Sequence, residues 1–513
     1  MGILVALFLT PYVIHHIGIE RFGIWAIVGA VTGYFGLFDF GIGTSFVKYI
    51  AEFYANKEFK KINEVVNTGF VFYSMFAIII IALAFIFIKP LLSFFKIPPY
   101  LYSETVFVFL AGVILFGISN VLSAFVVIQP GLQRMDITNK VAIVLSIPTI
   151  AGTFFFLEKG YGLPGLMINN IIMFVISGVI NIVISFKILP ELRFNPFLQN
   201  KKMFKKLFTF GYKLQIVKMS SFAGSQTDKL LITYFLSLGS VTFYYLGNTI
   251  VEKAKDVSLL ITSALLPAIS ELDAGRKMDK IALLYFRSIK YVTLIALPLI
   301  FFLFTDARLI ILTWMNQDFE KAVLALQILS VGIFTNILTG PAAVTVQGIG
   351  KPEYNMRVSL LHLFLNLFLS ITLIIKFGFV GVLIGTSLSC FLTGGYFIFL
   401  VNRLLKISSV EFCKIILQPL LACLLAAFFI HLLNIPFAPS GLAVDRLANL
   451  GILVRNGLAF GVIIIAILWV TRYFNEEDVS LAKSLFTQVS YGIKGLKGGN
   501  SRRDDKINGK DLQ

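Results

Sequence analysis

Charge is what this chain has least of. Of its 513 residues only 14% are Asp, Glu, Lys or Arg, against about 25% in ordinary soluble domains. A soluble particle of this size could not cover its surface with so few charges, so most of that surface must face lipid. Cytosolic enzymes, nucleic-acid binders and secreted scaffolds are disfavoured on that ground. Three cysteines (Cys390, Cys413 and Cys423), all in apolar runs, give neither a disulfide framework nor metal-ligand spacing. Four scattered histidines add none, and none is placed for Ser-His-Asp chemistry. No Gly-rich loop of the nucleoside-triphosphate kind occurs. The expectation is a chain that is not an enzyme and carries no metal or cofactor.

Apolar length is what the chain has in abundance, with 57% hydrophobic residues and a mean hydropathy of +0.87. A bilayer core about 30 Å thick needs about 20 apolar residues per helix. Stretches bounded by Gly, Pro and charge clusters number fourteen, at 2–17, 23–47, 66–88, 104–128, 140–157, 163–186, 208–235, 242–269, 288–305, 322–346, 356–375, 378–402, 414–434 and 451–471. Continuous helices are expected because lipid offers no partner for free backbone groups. Alternating segments of a membrane barrel are not seen. The first stretch is short, cleanly apolar only from Ile3 to Ile14, and nothing marks it as a signal peptide.

The lysines and arginines orient the spans. With the N-terminus inside, the inner segments hold 30 basic residues and the outer loops 8. The net charge of +17 is thus mostly an orientation signal, not a nucleic-acid footprint, and both termini are expected in the cytoplasm. Six basic residues remain: Lys213, Lys218, Lys229, Lys253, Lys255 and Arg455. Five of these six lie in the seventh and eighth spans.

The chain also repeats itself. Tyr161-Gly162-Leu163-Pro164-Gly165 recurs as Phe377-Gly378-Phe379-Val380-Gly381 at an offset of 216, Gln129-Pro130-Gly131 as Gln347-Gly348-Ile349 at 218, and Lys61-Ile62 as Lys280-Ile281 at 219. Ile17-Gly18 matches Leu238-Gly239 at 221. Four matches in order pair spans 1–6 with spans 7–12. Six helices per half is an even number, so the repeat is parallel, about an axis along the membrane normal, as in some transporters. Spans 13 and 14 fall outside it.

On the seventh span Lys218, Ser221, Ser225, Asp228 and Lys229 lie within an arc of about 100°, at 100° per residue. On the eighth, Asn248, Glu252, Lys255, Asp256 and Thr262 share an arc of about 120°. Six charges facing lipid would cost on the order of 15–20 kcal/mol even on the lenient insertion scale. They must therefore pair with one another, as Glu252 with Lys255 or Asp256 at helical spacing, or line a wet cavity; pairs lining a cavity would satisfy both. Asp39 is the sole acid between Glu20 and Glu52 and shares its face with Thr32, Gly36 and Gly43. Gln129 and Gln347 end spans 4 and 10 at repeat-equivalent positions, where substrate contact and helix-end solvation explain them equally. His362 and His431 sit in apolar runs suited to packing.

Gly18-Ile19-Glu20-Arg21-Phe22-Gly23-Ile24-Trp25, then Phe38-Asp39-Phe40-Gly41-Ile42-Gly43, resembles the opening of the polysaccharide biosynthesis (Wzx-like) flippases. These belong to the multidrug/oligosaccharidyl-lipid/polysaccharide exporter superfamily. Thr227-Asp228-Lys229-Leu230-Leu231-Ile232, Tyr244-Tyr245 and Leu266-Pro267-Ala268-Ile269-Ser270 fit the second half, so the resemblance covers roughly residues 15–405. It implies an all-α integral membrane fold with two six-helix lobes in a V around a central cationic cavity. The two extra C-terminal helices resemble those that form a lipid-tail groove in lipid II flippases. The implied function is translocation of a polyprenyl-diphosphate-linked oligosaccharide across the bacterial inner membrane for surface polysaccharide, by alternating access, in contact with membrane lipids and with polysaccharide polymerase machinery. Lys218, Lys229 and Lys255, with Asp228, Asn248 and Gln129, are then substrate-binding candidates; lysine suits a moving phosphate as a point charge. Asp39, Glu252 and Asp256 are candidates for ion coupling.

The expected division is a lobe at 1–190, a second at 203–405, two added helices at 412–472 and a cytoplasmic tail at 473–513, disordered from about 494. A cation-coupled multidrug exporter of the same superfamily is the alternative, disfavoured by the lysines and the surplus helices. A membrane polymerase or ligase would need large outer loops, which are absent.

Overall fold

The computed structural model describes residues 2–36, 42–260, 262, 265–434, 446–476, 478 and 480, with side chains left out at 2–7, 42, 44, 210–225, 409 and 431–434. Asp39 lies outside the described residues, as do the side chains of Lys218 and His431 and the tail beyond residue 480.

Among these residues all regular structure is helical. The first half comprises α1 (Gly2–Ile17), α2 (Ile19–Phe35), α3 (Ile42–Ala55), α4 (Phe59–Phe94), α5 (Tyr102–Val126), α6 (Ile128–Gly131), α7 (Met135–Glu158) and α8 (Gly162–Ile188). The second comprises α9 (Lys201–Phe235), α10 (Leu238–Leu259), α11 (Leu265–Ala274), α12 (Met278–Thr305), α13 (Ala307–Met315), α14 (Glu320–Gly348) and α15 (Glu353–Leu404). Last come α16 (Ser409–Asn434) and α17 (Arg446–Val470). Taking α2 with α3, α5 with α6 and α10 with α11, and dividing α15 at its bend, gives fourteen membrane segments in the order expected; α13 is a short addition between two of them.

Nine described helices qualify as membrane-spanning on length and apolarity alone. The others fall short for legible reasons. α1 has 16 residues, α2 and α3 are separate short pieces, and α9 and α10 carry the charged stripes. Side chains such as Ile78, Ile86, Phe364, Phe391 and Trp469 are more than half exposed, as a lipid-facing surface requires.

The repeat is written into the backbone. Left-handed φ occurs at Lys57 and Arg276, at Lys96 and Asn316, at Gln133 and Gly350, and at Gly162 and Gly378, offsets of 219, 220, 217 and 216. At Gly378 (φ 58°, ψ −131°) the long α15 turns back on itself as two limbs, the counterpart of the α7–α8 corner at Gly162 (φ 55°). Only glycine takes such a corner without a steric penalty.

The halves meet where α2 packs on α10 and where α3 and α4 pack on the first turns of α9; the α2–α10 seam is the tightest. Thr242 Oγ1 donates to the Ile19 carbonyl at 2.7 Å, Phe22 sits edge-on to Tyr245 at 5.1 Å between centroids, and Gly23 lies so close to Leu238 that a Cβ would strike its carbonyl. These contacts gather at the end of the bundle remote from the basic loops. α16 and α17 dock on α12 through a separate cluster built on Leu297, Cys423, Ala426, Phe460 and Ile464.

Candidate functional site

Between α9 and α10 the chain reverses at Ser237, whose side chain caps α10 by accepting from Ser240 N. That hairpin brings Asp228 of α9 and Asn248, Glu252 and Lys255 of α10 to face α14 and the limbs of α15. A cavity of about 410 Å³ opens there, inside the second half. Asp228, Asn248, Glu252, Lys255 and Gln347 all line it, joined by Asn336, Asn355 and His362 from α14 and α15. The resemblance led to the expectation of a cationic cavity between two lobes. This chamber lies within one of them, and its lysine is neutralised: Lys255 pairs with Glu252 one turn away.

At one end Asp228 is fully buried. Its Oδ2 accepts from the Thr386 hydroxyl at 2.6 Å and the Tyr244 hydroxyl at 2.9 Å. Asn366 Nδ2 donates to Thr386 Oγ1 at 3.2 Å, and Ser370 also faces the carboxylate. Three buried oxygens here, Asp228 Oδ1, Asn366 Oδ1 and Ser370 Oγ, have no hydrogen-bond partner among the described residues. Leaving buried acceptors unpaired is costly, and the Ser370 hydroxyl and the Asn366 amide lie near enough to the Asp228 carboxylate to reduce that cost. Neutral oxygens beside one carboxylate suit a small hard monovalent cation or a proton. Among the described residues no group of three His, Cys, Asp or Glu offers a transition-metal site.

The equivalent place in the first half is closed. Asn169 Nδ2 donates to the Thr149 carbonyl at 3.0 Å and to Thr153 Oγ1 at 3.2 Å, and among the described residues no carboxylate bonds to this group. The repeat thus places two polar nests, and among the described residues it is the second that holds an acid, Asp228 of α9.

Other singled-out residues are placed elsewhere. Lys229 is buried beside Asp228 but points away from the cavity lining; its Nζ donates to Gln226 Oε1 at 2.8 Å and lies 5.5 Å from the Tyr245 ring centre. Asp256 is exposed and paired with Lys253 at 3.2 Å. Gln129 is fully buried in the first half, donating to Asn181 Oδ1 at 2.8 Å and accepting from Thr138 at 2.9 Å. Sequence reading missed Asn336, Asn366, Ser370 and Thr386. Their signal was an amide or hydroxyl at mid-span, which carries less contrast than a charge.

A bundle of two like halves, apolar outside and holding a polar chamber within, defines a membrane transporter. The chain belongs to the polysaccharide biosynthesis protein family, whose profile matches residues 2–273. It is 23% identical, over 72% of its length and 87% of the relative's, to a Shigella flexneri protein provisionally named O-antigen transporter. An uncharacterized membrane protein of Methanocaldococcus jannaschii is 25% identical over 70% of this chain and 65% of its own. The fold matches the lipid II flippase MurJ in its inward closed conformation with a TM-score of 0.71, at 15% identity, over 92% of this chain and 98% of that one. An inward-facing multidrug MATE transporter of the MOP superfamily matches at 0.65 and 13%, over 79% and 96%.

Proposed function

We propose that this protein is a flippase moving a polyprenyl-diphosphate-linked oligosaccharide from the inner to the outer leaflet of a bacterial cell membrane, in the service of surface polysaccharide synthesis. Residues 1–190 and 203–405 act as two lobes that part and close in turn at the α2–α10 contact, with both termini in the cytoplasm. The observation that carries this reading is the pair α16–α17 docked on α12, a feature consistent with the fuller overlap with a lipid II flippase than with a drug exporter. Family membership supports it independently. On α9, Lys218 and Lys229 supply positive charge for the diphosphate. The oxygen cluster at Asp228 takes a coupling cation whose entry and loss biases the lobes.

Reconstituted in liposomes with a polyprenyl-diphosphate-linked oligosaccharide, the protein should transfer the lipid between leaflets, and Lys218→Ala with Lys229→Ala should slow transfer at least tenfold. Failure to move any lipid-linked saccharide, with both substitutions tolerated in cells, would overturn the reading.

A further inference from the structure

The chamber in the second half has a chemistry of its own. It carries two carboxylates, Asp228 and Glu252, and one ammonium, Lys255, already held by Glu252. A diphosphate would meet net negative charge and no free cation among the described lining residues. What the chamber does offer is amides. The side chains of Asn248, Asn336 and Gln347 line it without hydrogen-bond partners among the described residues. Asn355 spends only its Nδ2, on the Ala343 carbonyl at 3.3 Å. Amides present a donor and an acceptor side by side, matching a ring of hydroxyls, each of which also donates and accepts.

Two further features agree. Thr393 Oγ1 donates to the Ser389 carbonyl at 2.6 Å, so in its 3.2 Å contact with His362 Nδ1 it can only accept. Nδ1 therefore bears the proton, and Nε2 of this half-buried imidazole remains an acceptor. The Phe397 ring supplies an apolar wall, suited to the C–H face of a pyranose. At about 410 Å³ the space falls within the range of roughly 300–1,000 Å³ usual for small-molecule sites. It runs along α14 from Leu329 to Gln347, about 27 Å of axis at 1.5 Å per residue, ending toward the basic loops.

We propose that this chamber is a subsite for a neutral, hydroxyl-rich sugar ring of the passenger, while the diphosphate stays outside it. The inference rests on the flippase reading for its passenger and on the chamber for its chemistry. Sugar recognition is thereby assigned to α10 and α14, and phosphate recognition to α9.

The test uses the full chain in nanodiscs, with methyl glucoside and N-acetylglucosamine as probes in saturation-transfer NMR and inorganic pyrophosphate as competitor. Sugar signals should persist in excess pyrophosphate, fall about tenfold in Asn248→Leu and Asn336→Leu, the loss expected from one missing hydrogen-bond partner, and be kept in Asn336→Gln, which also controls for folding. Displacement of the sugar by pyrophosphate, absence of sugar signal in the unaltered protein, or full signal in both leucine variants would overturn it. Flipping of lipid-linked glycan is read separately on the same protein. Sugar binding without flipping supports the subsite and removes the flippase, whereas flipping without sugar binding removes the subsite alone.

Discussion

At the residue scale, a buried carboxylate is expensive unless its oxygens are answered, and among the described residues the close hydrogen bonds to Asp228 all fall on Oδ2. Asp228→Asn keeps the shape and removes the charge. Glycolipid flipping in proteoliposomes should then lose its stimulation by a sodium or proton gradient, at least tenfold, while the purified variant still binds neutral sugar. Gln129 makes the opposite case. Both ends of its amide are engaged inside the first half, so Gln129→Leu should cost about 1–3 kcal/mol of stability by orphaning Asn181 and Thr138, read as a lowered thermal midpoint with unchanged substrate preference. The sequence displayed Asp228, Glu252 and Lys255 because a charge in an apolar run is conspicuous. It did not display Asn336 or Asn366, whose importance appears only when four helices bring them together, nor could it tell that Lys255 spends its charge on Glu252.

At the element scale the reading of the chain fared better, since each helix is an apolar run closed by a Gly, a Pro or a charge cluster, and those marks are local. What local marks do not carry is docking. Just past α17, Asp478 reaches back to α12, accepting from Lys290 and, at 2.8 Å, from the Tyr291 hydroxyl and Asn475 N. Tyr473 reinforces the contact by donating to the Ile415 carbonyl at 2.9 Å. Burial pushes the Asp478 carboxyl up, but the Lys290 ammonium and the other donors outweigh it and hold the group below the usual carboxylate value. A depressed folded pKa stabilises above the unfolded value of about 3.9 and is lost as pH falls through the folded one. The segment at 473–480 should thus stay docked at neutral pH and release only below about pH 4. Asp478→Asn should release it at neutral pH, costing about 1–3 kcal/mol of docking; limited proteolysis at 471–480 against pH checks both.

For the whole molecule, the halves touch at both ends: beside the basic loops Ser45 Oγ donates to the Leu207 carbonyl at 2.9 Å, and at the end remote from the basic loops Gly23 meets Leu238 and Thr242 meets Ile19. Any rocking motion that opens this end must part those residues. A Cβ on Gly239 would lie 3.4 Å from Ile19 Cγ2, which makes these two positions the natural pair to bridge across this contact. In a Cys413→Ser background, Ile19→Cys with Gly239→Cys should therefore oxidise readily and arrest flipping, with recovery on reduction; flipping that continues in the fully oxidised protein would show that this end need not part.

The matched left-handed corners at Lys57 and Arg276, Lys96 and Asn316, Gln133 and Gly350, and Gly162 and Gly378 have a consequence for how such a machine diverges. Duplication copied the corners, and corners decide how a chain folds up whatever its interior contains. One copy could then keep its polar nest self-paired while the other refurnished its interior, without relearning where the chain must turn.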